Sequence, residues 1–391
     1  MQPLSDIRVL DLSRLLPGPF ATLVLADLGA TVDKIEDPHQ GDYLRQMPPE
    51  VGGQNVAFGM LNRGKRSAVL DLKKADAKAA LLAMVASYDV LFEQFRPGVM
   101  SRLGLDPQAL RRDHPRLIIC SLSGYGQTGP LAQRAGHDLN YLARAGLMGA
   151  QGPASGAPQV PGFQLADISG GLWSVTAILA ALRHRDKTGE GAWLDIAMSE
   201  GTLPFASTSL GAALAGAPGE RGDEQLTGGI APYSVYATKD GRWVTLAALE
   251  PKFWMTFAAS FGHAVSMSDF VQGPHQAELK AKVAEVIVAR SDAEWRTYAE
   301  QNDVPIEPVL SPSEIKSDAH LAARGVFFEV LGSADGKSPA VPLPQVRTPV
   351  TPADKSFVPP PRQGEHTREI LTQAGLSNEQ IEALLASGGA R

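Results

Sequence analysis

The stretch IRVLDLSRLLPGPFATLVLADLGATVDKIE, residues 7–36, decides the fold class of this chain. Its first six residues are typical of a buried strand, PFATLVLADLGA predicts a helix that ends near Gly29, and TVDKIE predicts a second strand. A strand, a helix and another strand in this order form a parallel βαβ unit.

The same alternation continues downstream. AKAALLAMVASY predicts a helix, DVLFEQF and PRLIICSLSG predict strands, and the apolar pattern from Ile168 to Arg183 predicts another helix. Strands that alternate with helices indicate a mostly parallel sheet with both faces covered. We therefore predict an α/β fold of Rossmann-like type, with GYGQTG at residues 124–129 forming a loop because Pro130 and polar residues follow it.

A chain of 391 residues exceeds the usual size of one hydrophobic core, so two domains are expected. We assign a large domain to residues 1–200 and a connection rich in Ala, Gly, Ser and Pro to residues 201–225. A smaller α+β domain spans 226–335, where GRWVTLAAL predicts a strand and three helical patterns follow. Residues 336–391 return to the large domain, and Ser377 and Gln380 have the spacing of a capping box.

Composition excludes several classes of protein. A net charge of -6 argues against a general binder of nucleic acid or anionic membranes. No run reaches eighteen apolar residues, and the N-terminus lacks the pattern of a secretion signal, so we expect a cytoplasmic protein that does not span a membrane. The lone cysteine, Cys120, lies in an apolar strand pattern and is expected to be buried.

His137 and Asp167 are the candidate catalytic pair. His137 opens the motif HDLNY, and Asp167 stands thirty residues later in DISGG at the start of a predicted helix. An imidazole and a carboxyl group are what the removal and return of a proton at one carbon require. The structural alternatives are a histidine held for packing and an aspartate that caps its helix. If Asp167 is such a cap, the neighbouring backbone amides are free to face an enolate oxygen.

Cationic residues in the first half of the chain are candidates for phosphate binding. Arg63, Lys65 and Arg66 cluster in NRGKRS, and Pro17, Gly18 and Pro19 stand just before a helix whose free amides would favour an anion. A solvated turn explains the basic cluster equally well. We find no convincing metal-ligand cluster, and we expect no metal or other cofactor.

The ordered motifs DLSRLLPGPFATLVLADLGATVDKIE, NRGKRSAVLDLK, FRPGVMSRLGL, SGYGQTGP, GHDLNY, DISGG, PYSVYATKDG and GEHTREIL resemble the CoA-transferase family III (CaiB/BaiF-like) superfamily over nearly the whole chain. GHDLNY and LTGGIAPYSVY resemble the α-methylacyl-CoA racemase branch of that family.

The resemblance implies a large Rossmann-like domain with a small domain, in an interlocked homodimer that binds acyl-CoA thioesters. It makes His137 and Asp167 the proton-transfer groups and Glu250, from the partner chain, the residue that supports the histidine. Coenzyme A is part of the substrate. The positions expected to bind it are Arg14, Leu15, Arg63, Lys65, Arg66, Leu72, Arg102 and Tyr141.

The sequence departs from the family at Asp37, where many relatives carry an arginine near the CoA phosphates. An acid there would repel phosphate, so Arg14, Arg63, Lys65 or Arg66 would supply the charge, or the nucleotide would lie differently. Two other functions stay open. One is an acyl-CoA:carboxylate CoA-transferase that uses Asp167 as a nucleophile, and the other is a non-catalytic protein that binds CoA or a nucleotide.

Overall fold

The computed structural model describes residues 2–51, 54–330, 341–344 and 358–391. Its strands are β1 (Arg8–Asp11), β2 (Thr31–Glu36), β3 (Glu50–Val51), β4 (Gln54–Asn55), β5 (Arg66–Val69), β6 (Val90–Glu93), β7 (Ile118–Ser123), β8 (Trp193–Ala197), β9 (Tyr233–Ala237), β10 (Trp243–Ala247), β11 (Ile306–Pro308), β12 (Phe327–Val330) and β13 (Val341–Pro344).

The α-helices are α1 (Pro17–Asp27), α2 (Val56–Asn62), α3 (Ala75–Val85), α4 (Val99–Arg102), α5 (Pro107–Asp113), α6 (Asp138–Arg144), α7 (Leu147–Ala150), α8 (Leu165–Thr188), α9 (Met198–Gly201), α10 (Ser207–Leu214), α11 (Pro251–Ala259), α12 (Gln276–Ile287), α13 (Asp292–Asn302), α14 (Ala319–Ala323), α15 (Thr367–Gln373) and α16 (Asn378–Ala386). The capping box predicted at Ser377 and Gln380 starts α16.

The chain divides into two compact units. The larger comprises Met1–Leu142, Phe163–Thr202 and Ala319–Arg391, and the smaller comprises Ala143–Gly162 and Leu203–Asp318. Residues 143–162 therefore belong with the smaller unit and not with the large domain to which the sequence analysis assigned them. The predicted connection at 201–225 also contains a helix, α10, because its alanines and leucines favour helix over an open loop. Of the predicted return at 336–391, residues 336–340 and 345–357 lie outside the described residues.

The larger unit is built on one parallel sheet of six strands in the order β5-β2-β1-β6-β7-β8. The α/β fold predicted from the sequence is confirmed. The strand order reverses between β1 and β6, and ligands of open parallel sheets bind at the carboxyl edge beside such a reversal. Helices α1 and α8 cover one face, and the other face packs in a core with α3, α15 and α16.

Helix α8 carries the DISGG motif in its first two turns and packs along α1. At Gly171 a Cβ atom would lie 2.8 Å from a ring carbon of Phe20 and 2.9 Å from the carbonyl oxygen of Pro17. At Gly170 it would lie 2.7 Å from the side chain of Met198. The two glycines thus permit the close helix packing that fixes the start of α8, where Asp167 stands.

By length and composition, α8 is the one helix within the described ranges that could cross a membrane. Half of its most apolar segment is buried inside the protein. Core helices of soluble proteins pass the same test. Its uncovered side carries Leu172, Trp173 and Leu179, which are 45%, 42% and 36% exposed.

The smaller unit contains the antiparallel sheet β11-β10-β9. Its core joins residues of this sheet to α11, α12 and α13 and is centred on the buried aromatic side chains of Trp254, Phe257 and Trp295. The unit therefore has the α+β composition that the sequence predicted, but it ends at Asp318, and the chain from Ala319 onward belongs to the larger unit and not to the small domain assigned to 226–335.

Candidate active site

The carboxyl ends of the parallel strands border a cavity of about 530 Å³, which we name the main cavity. The loops that follow β1, β6, β7 and β8 supply its walls. The residues that concern its chemistry are Arg14, Leu15, Phe95, Arg96, Val99, Arg134, His137, Tyr141 and Asp167. The two predicted catalytic residues therefore line one space.

His137 stands immediately before α6, and its backbone is fixed from both sides. Its amide donates to the side-chain oxygen of Asn140 at 3.0 Å, and its carbonyl accepts from the amide of Asn140 at 2.8 Å. The imidazole is exposed to the cavity. The histidine thus caps α6 through its backbone while its ring stays available for chemistry.

Tyr141 supports the loop that carries His137. Its hydroxyl donates to the carbonyl of Gly136 at 2.5 Å, and its ring packs edge-on against Tyr125. A Cβ atom at Gly124 or Gly136 would lie 2.4 or 2.8 Å from that ring. Burial, together with the charge of Asp167, raises the pKa of Tyr141 to about 12.

Asp167 is the third residue of α8, so it is not the N-cap as one interpretation of the sequence had it. The helix begins earlier because the carboxylate of Asp138 caps it from outside, accepting from the amides of Ala166 at 2.6 Å and Asp167 at 3.1 Å. These amides are therefore unavailable to an enolate oxygen, which corrects the sequence-based expectation. Burial raises the pKa of Asp167 to about 7, and the Asp138 carboxylate contributes to the increase.

A second cavity, of about 250 Å³, borders the ends of β1, β2 and β5, and we name it the side cavity. It shares Arg14, Phe95 and Val99 with the main cavity, so the two adjoin. Leu72 and Lys73 line its wall. The pair of cavities thus spans the strand-order reversal.

The loop shared by both cavities is held rigidly. Leu15 adopts a left-handed backbone conformation, with φ of 63°, and its amide donates to the Asp42 carboxylate at 3.0 Å. The buried ammonium group of Lys34 donates to the carbonyl of Ser13 at 2.7 Å and pairs with Asp42 at 3.0 Å. A bulky residue in this conformation is strained and persists only where its surroundings fix it.

Asp37 lines the side cavity, but its charge is satisfied locally. Partial burial opposes its ionisation, yet hydrogen bonds from the amides of Gln40 and His39 hold its pKa below the ordinary value. Lys73 adds an attractive charge. The acid therefore closes a turn beside a lysine that the sequence analysis had not singled out.

The basic cluster does not face either cavity. Arg63 pairs with Asp27 at 2.6 Å, Lys65 lies buried with Asp11 at 3.4 Å, and Arg66 pairs with Asp33 at 2.6 Å. The prediction that these three cations bind CoA phosphates is wrong, because buried carboxylates already neutralise them. Burial lowers the pKa of Lys65 to about 7.

The remaining predicted positions fall in three places. Arg14, Leu15 and Tyr141 line the main cavity, and Leu72 lines the side cavity. Arg102 ends α4 and is exposed, outside both cavity walls. Glu250 stands at the N-cap of α11 in the smaller unit, exposed and without a side-chain capping bond. The roles of Arg102 and Glu250 stay predictions.

Sequence reasoning missed Lys73, Arg96 and Arg134. Each follows a buried strand in the loops at the carboxyl edge, which is the signal that would have marked them.

The chain is similar to known proteins over nearly its whole length. The family model described as CoA-transferase family III matches residues 4–367. Human alpha-methylacyl-CoA racemase is 38% identical over 392 residues, covering 97% of this chain and 96% of that protein. Mouse succinyl-CoA:glutarate CoA-transferase is 33% identical, covering 99% of this chain and 90% of that protein. A CAIB/BAIF family protein from Brucella suis superposes with a TM-score of 0.80 at 29% identity, covering 95% of this chain and 99% of that chain.

Proposed function

Because this chain belongs to CoA-transferase family III, we propose that it is a racemase that inverts C2 of 2-methyl-branched acyl-CoA thioesters. The observation that carries the proposal is the presence of His137 and Asp167 in one cavity, with the pKa of Asp167 raised to about 7. A carboxyl group with such a pKa exchanges protons readily near neutral pH. Similarity to the human racemase supports the assignment.

The reaction needs one proton taken and one returned. Neutral His137 removes the hydrogen from C2 on one face, and the electrons of the broken C–H bond move to the thioester oxygen as an enolate. Protonated Asp167 then delivers its proton to the opposite face, which leaves the pair as imidazolium and carboxylate. The reverse reaction starts from that state, so the pair carries one proton in either direction.

The enolate oxygen needs hydrogen-bond donors. Asp138 occupies the amides of Ala166 and Asp167, so these two amides do not take this role. Removing one such donor from an acyl-transfer enzyme costs about 2.7 to 4 kcal/mol of transition-state stabilisation.

The adjoining side cavity is the place we assign to the nucleotide end of the substrate. Arg14 and Lys73 supply positive charge there, and Leu72 supplies apolar surface. The pantetheine arm would pass Phe95 and Val99, which border both cavities, and bring the thioester to His137. The substrate itself brings coenzyme A, and the reaction needs no further cofactor.

We further propose a cytoplasmic homodimer. The exposed apolar face of α8, with Leu172, Trp173 and Leu179, is the surface we assign to the second copy. Contiguous apolar surface of this kind marks interaction sites. Replacing Leu172 and Leu179 together by glutamate should convert the dimer to a monomer in light scattering, whereas an unchanged mass would exclude this face.

The second candidate is a CoA-transferase, and the 33% identity to the mouse transferase favours it. In that reaction the Asp167 carboxylate would attack the thioester carbonyl and release the CoA thiolate, forming a mixed anhydride. The thiolate would then attack the aspartyl carbonyl, which expels the donor acid as its carboxylate and leaves an aspartyl-CoA thioester. Hydroxylamine would trap the acyl-enzyme intermediates, and His137→Ala would retain most of the activity.

The deciding experiment is incubation of 2-methyl-branched acyl-CoA esters in heavy water. A racemase incorporates deuterium at C2, and His137→Ala should lower the rate at least about 100-fold, as loss of a general base does. The exposed His320 in α14 offers a matched control, and His320→Ala should leave the rate unchanged. Transfer of CoA between acids without deuterium incorporation would assign the chain to the transferases.

A further inference from the structure

An acidic residue stands where β2 ends beside the side cavity. Asp37 directly follows β2 in the first βαβ unit, is exposed, and lines the wall of this cavity. In βαβ units that bind dinucleotides, an acidic side chain that follows the second strand hydrogen-bonds a ribose hydroxyl, whereas an arginine nearby accommodates a ribose that carries a phosphate. Asp37 is therefore placed to contact the ribose of a nucleotide in the side cavity.

Hydrogen bonds fix Asp37 in this position. Its Oδ1 atom accepts from the amides of His39 at 2.9 Å and Gln40 at 3.1 Å. Its carbonyl oxygen accepts from the amide of Gly41 at 3.1 Å and from the side-chain amide of Gln363 at 2.7 Å. Because both bonds to the carboxylate end on Oδ1, the second oxygen, Oδ2, is the acceptor that a ligand hydroxyl would use.

The side cavity has no excess of positive charge. Its wall contains three cationic side chains and four carboxylates, which belong to Arg14, Lys34, Lys73, Glu36, Asp37, Asp42 and Asp71. Lys34 pairs with Asp42 at 3.0 Å inside the protein, so its charge is already neutralised. Among the described residues of the wall, Arg14 and Lys73 are therefore the two cations that a nucleotide would meet, and a group with several phosphates favours a more positive surface.

We propose that Asp37 accepts a hydrogen bond from a ribose hydroxyl of the nucleotide, and that this chain does not select for the 3′-phosphate of coenzyme A. The inference rests on the proposed binding of CoA thioesters and specifies which part of the nucleotide is recognised. Arg14 and Lys73 supply one cation for each phosphate of the diphosphate bridge. A third phosphate beside Asp37 would meet a like charge, so we place it toward solvent, to which Asp37 is exposed.

The test compares CoA with 3′-dephospho-CoA, which differs from it by this phosphate alone. Calorimetric titration measures the dissociation constant of each ligand, and neither ligand has to react. We expect the wild-type protein to bind 3′-dephospho-CoA at least as tightly as CoA, because the phosphate gains no cationic partner and is repelled by Asp37. Tighter binding of CoA would overturn the inference, since a cation elsewhere would then hold the phosphate.

Substitution of Asp37 should create a preference for CoA. Asp37→Asn keeps the oxygen that accepts from His39 and Gln40 but removes the charge, so the ratio of the two dissociation constants should move toward CoA. Asp37→Arg should move it at least about tenfold, as a charge-assisted bond to phosphate provides. Asp113→Arg makes the same charge change at an exposed residue outside both cavities and should leave the ratio as it is. An unchanged ratio in either variant of Asp37 would overturn the inference, because position 37 would then not face the ribose.

Deuterium exchange separates this inference from the racemase assignment. The same titrations are set beside exchange at C2 of a 2-methyl-branched acyl-CoA in heavy water. Binding of 3′-dephospho-CoA at least as tight as that of CoA, without exchange, would support the inference and reject the racemase. Exchange together with tighter binding of CoA would keep the racemase and reject the inference. Binding of neither ligand would reject the CoA site and both proposals with it.

Discussion

The carboxylate of Asp138 accepts a hydrogen bond from the backbone amide of Asp167 at 3.1 Å, and its charge also contributes to the raised pKa of the Asp167 side chain. One residue thus links the two proposed catalytic groups, since Asp138 follows His137 directly in the chain. It fixes the start of α8 against the His137 loop and helps to keep Asp167 protonated near neutral pH.

Asp138→Asn should shift the pH optimum of the reaction to lower pH. The asparagine oxygen can still accept from the amides of Ala166 and Asp167, but the negative charge that raises the pKa of Asp167 is gone. The active form of the pair holds one proton, so a lower pKa moves the optimum downward. The measurement is kcat/KM against pH for deuterium exchange at C2.

A purely structural role for Asp138 would give a different result. Asp138→Ala removes the cap and should lower the free energy of unfolding by about 1 kcal/mol. If Asp138→Asn left both the pH optimum and the free energy of unfolding in place while Asp138→Ala lowered stability, Asp138 would be a cap and nothing more.

Much of the fold could be predicted because its elements have strong periodic patterns. The strand predicted at TVDKIE has the same first and last residues as β2, and the helix predicted for 168–183 lies within α8. The start of α8 was missed because its cap, Asp138, comes from 27 residues upstream of Leu165 and no local pattern reveals it. The domain assignment of 143–162 failed for the same reason, since membership of a unit depends on distant contacts.

The site was predicted in part. His137 and Asp167 share a cavity, as their pattern in the sequence suggested. The basic cluster misled because charge in a sequence does not reveal its partner: Lys65 faces Asp11, which is 54 residues away in the chain. Arg96 and Arg134 were overlooked although each follows a buried strand, because the sequence alone does not show whether an arginine in such a loop has a carboxylate partner.

The pH dependence should be bell-shaped and the same in both directions of racemisation. The equilibrium constant between two C2 epimers does not depend on pH, so the forward and reverse kcat/KM values must change together. Activity should fall at low pH, where both groups are protonated, and at high pH, where both are deprotonated. Circular dichroism assays started from each epimer would measure both profiles, and a rate that rises to a plateau at high pH without falling again would exclude the two-base scheme.

Gly171→Ala should destabilise the protein by about 1 to 3 kcal/mol, because the new methyl group would overlap Phe20 and the carbonyl of Pro17. Gly211, within α10, supplies the matched control, because a methyl group added there would have no neighbouring atom within 4 Å. Gly211→Ala should stabilise by about 0.4 to 1 kcal/mol. Urea unfolding of both variants would compare them, and equal effects would refute tight packing at the start of α8.

Asp167→Asn should abolish racemisation and yet raise stability above neutral pH. The folded protein holds the pKa of this carboxyl group at about 7 because burial disfavours its charge, whereas the group ionises near its ordinary value of 3.8 in the unfolded chain. Between these two values the folded state binds more protons than the unfolded state, so wild-type stability falls as pH rises through this window. The neutral asparagine removes that loss. The gain in the free energy of unfolding should be absent near pH 4 and reach on the order of 1 kcal/mol or more above pH 7, after allowance for partial exposure of the site. Urea titrations of both proteins across this range would measure it, and a gain that did not grow with pH would show that Asp167 is already ionised at low pH in the folded protein.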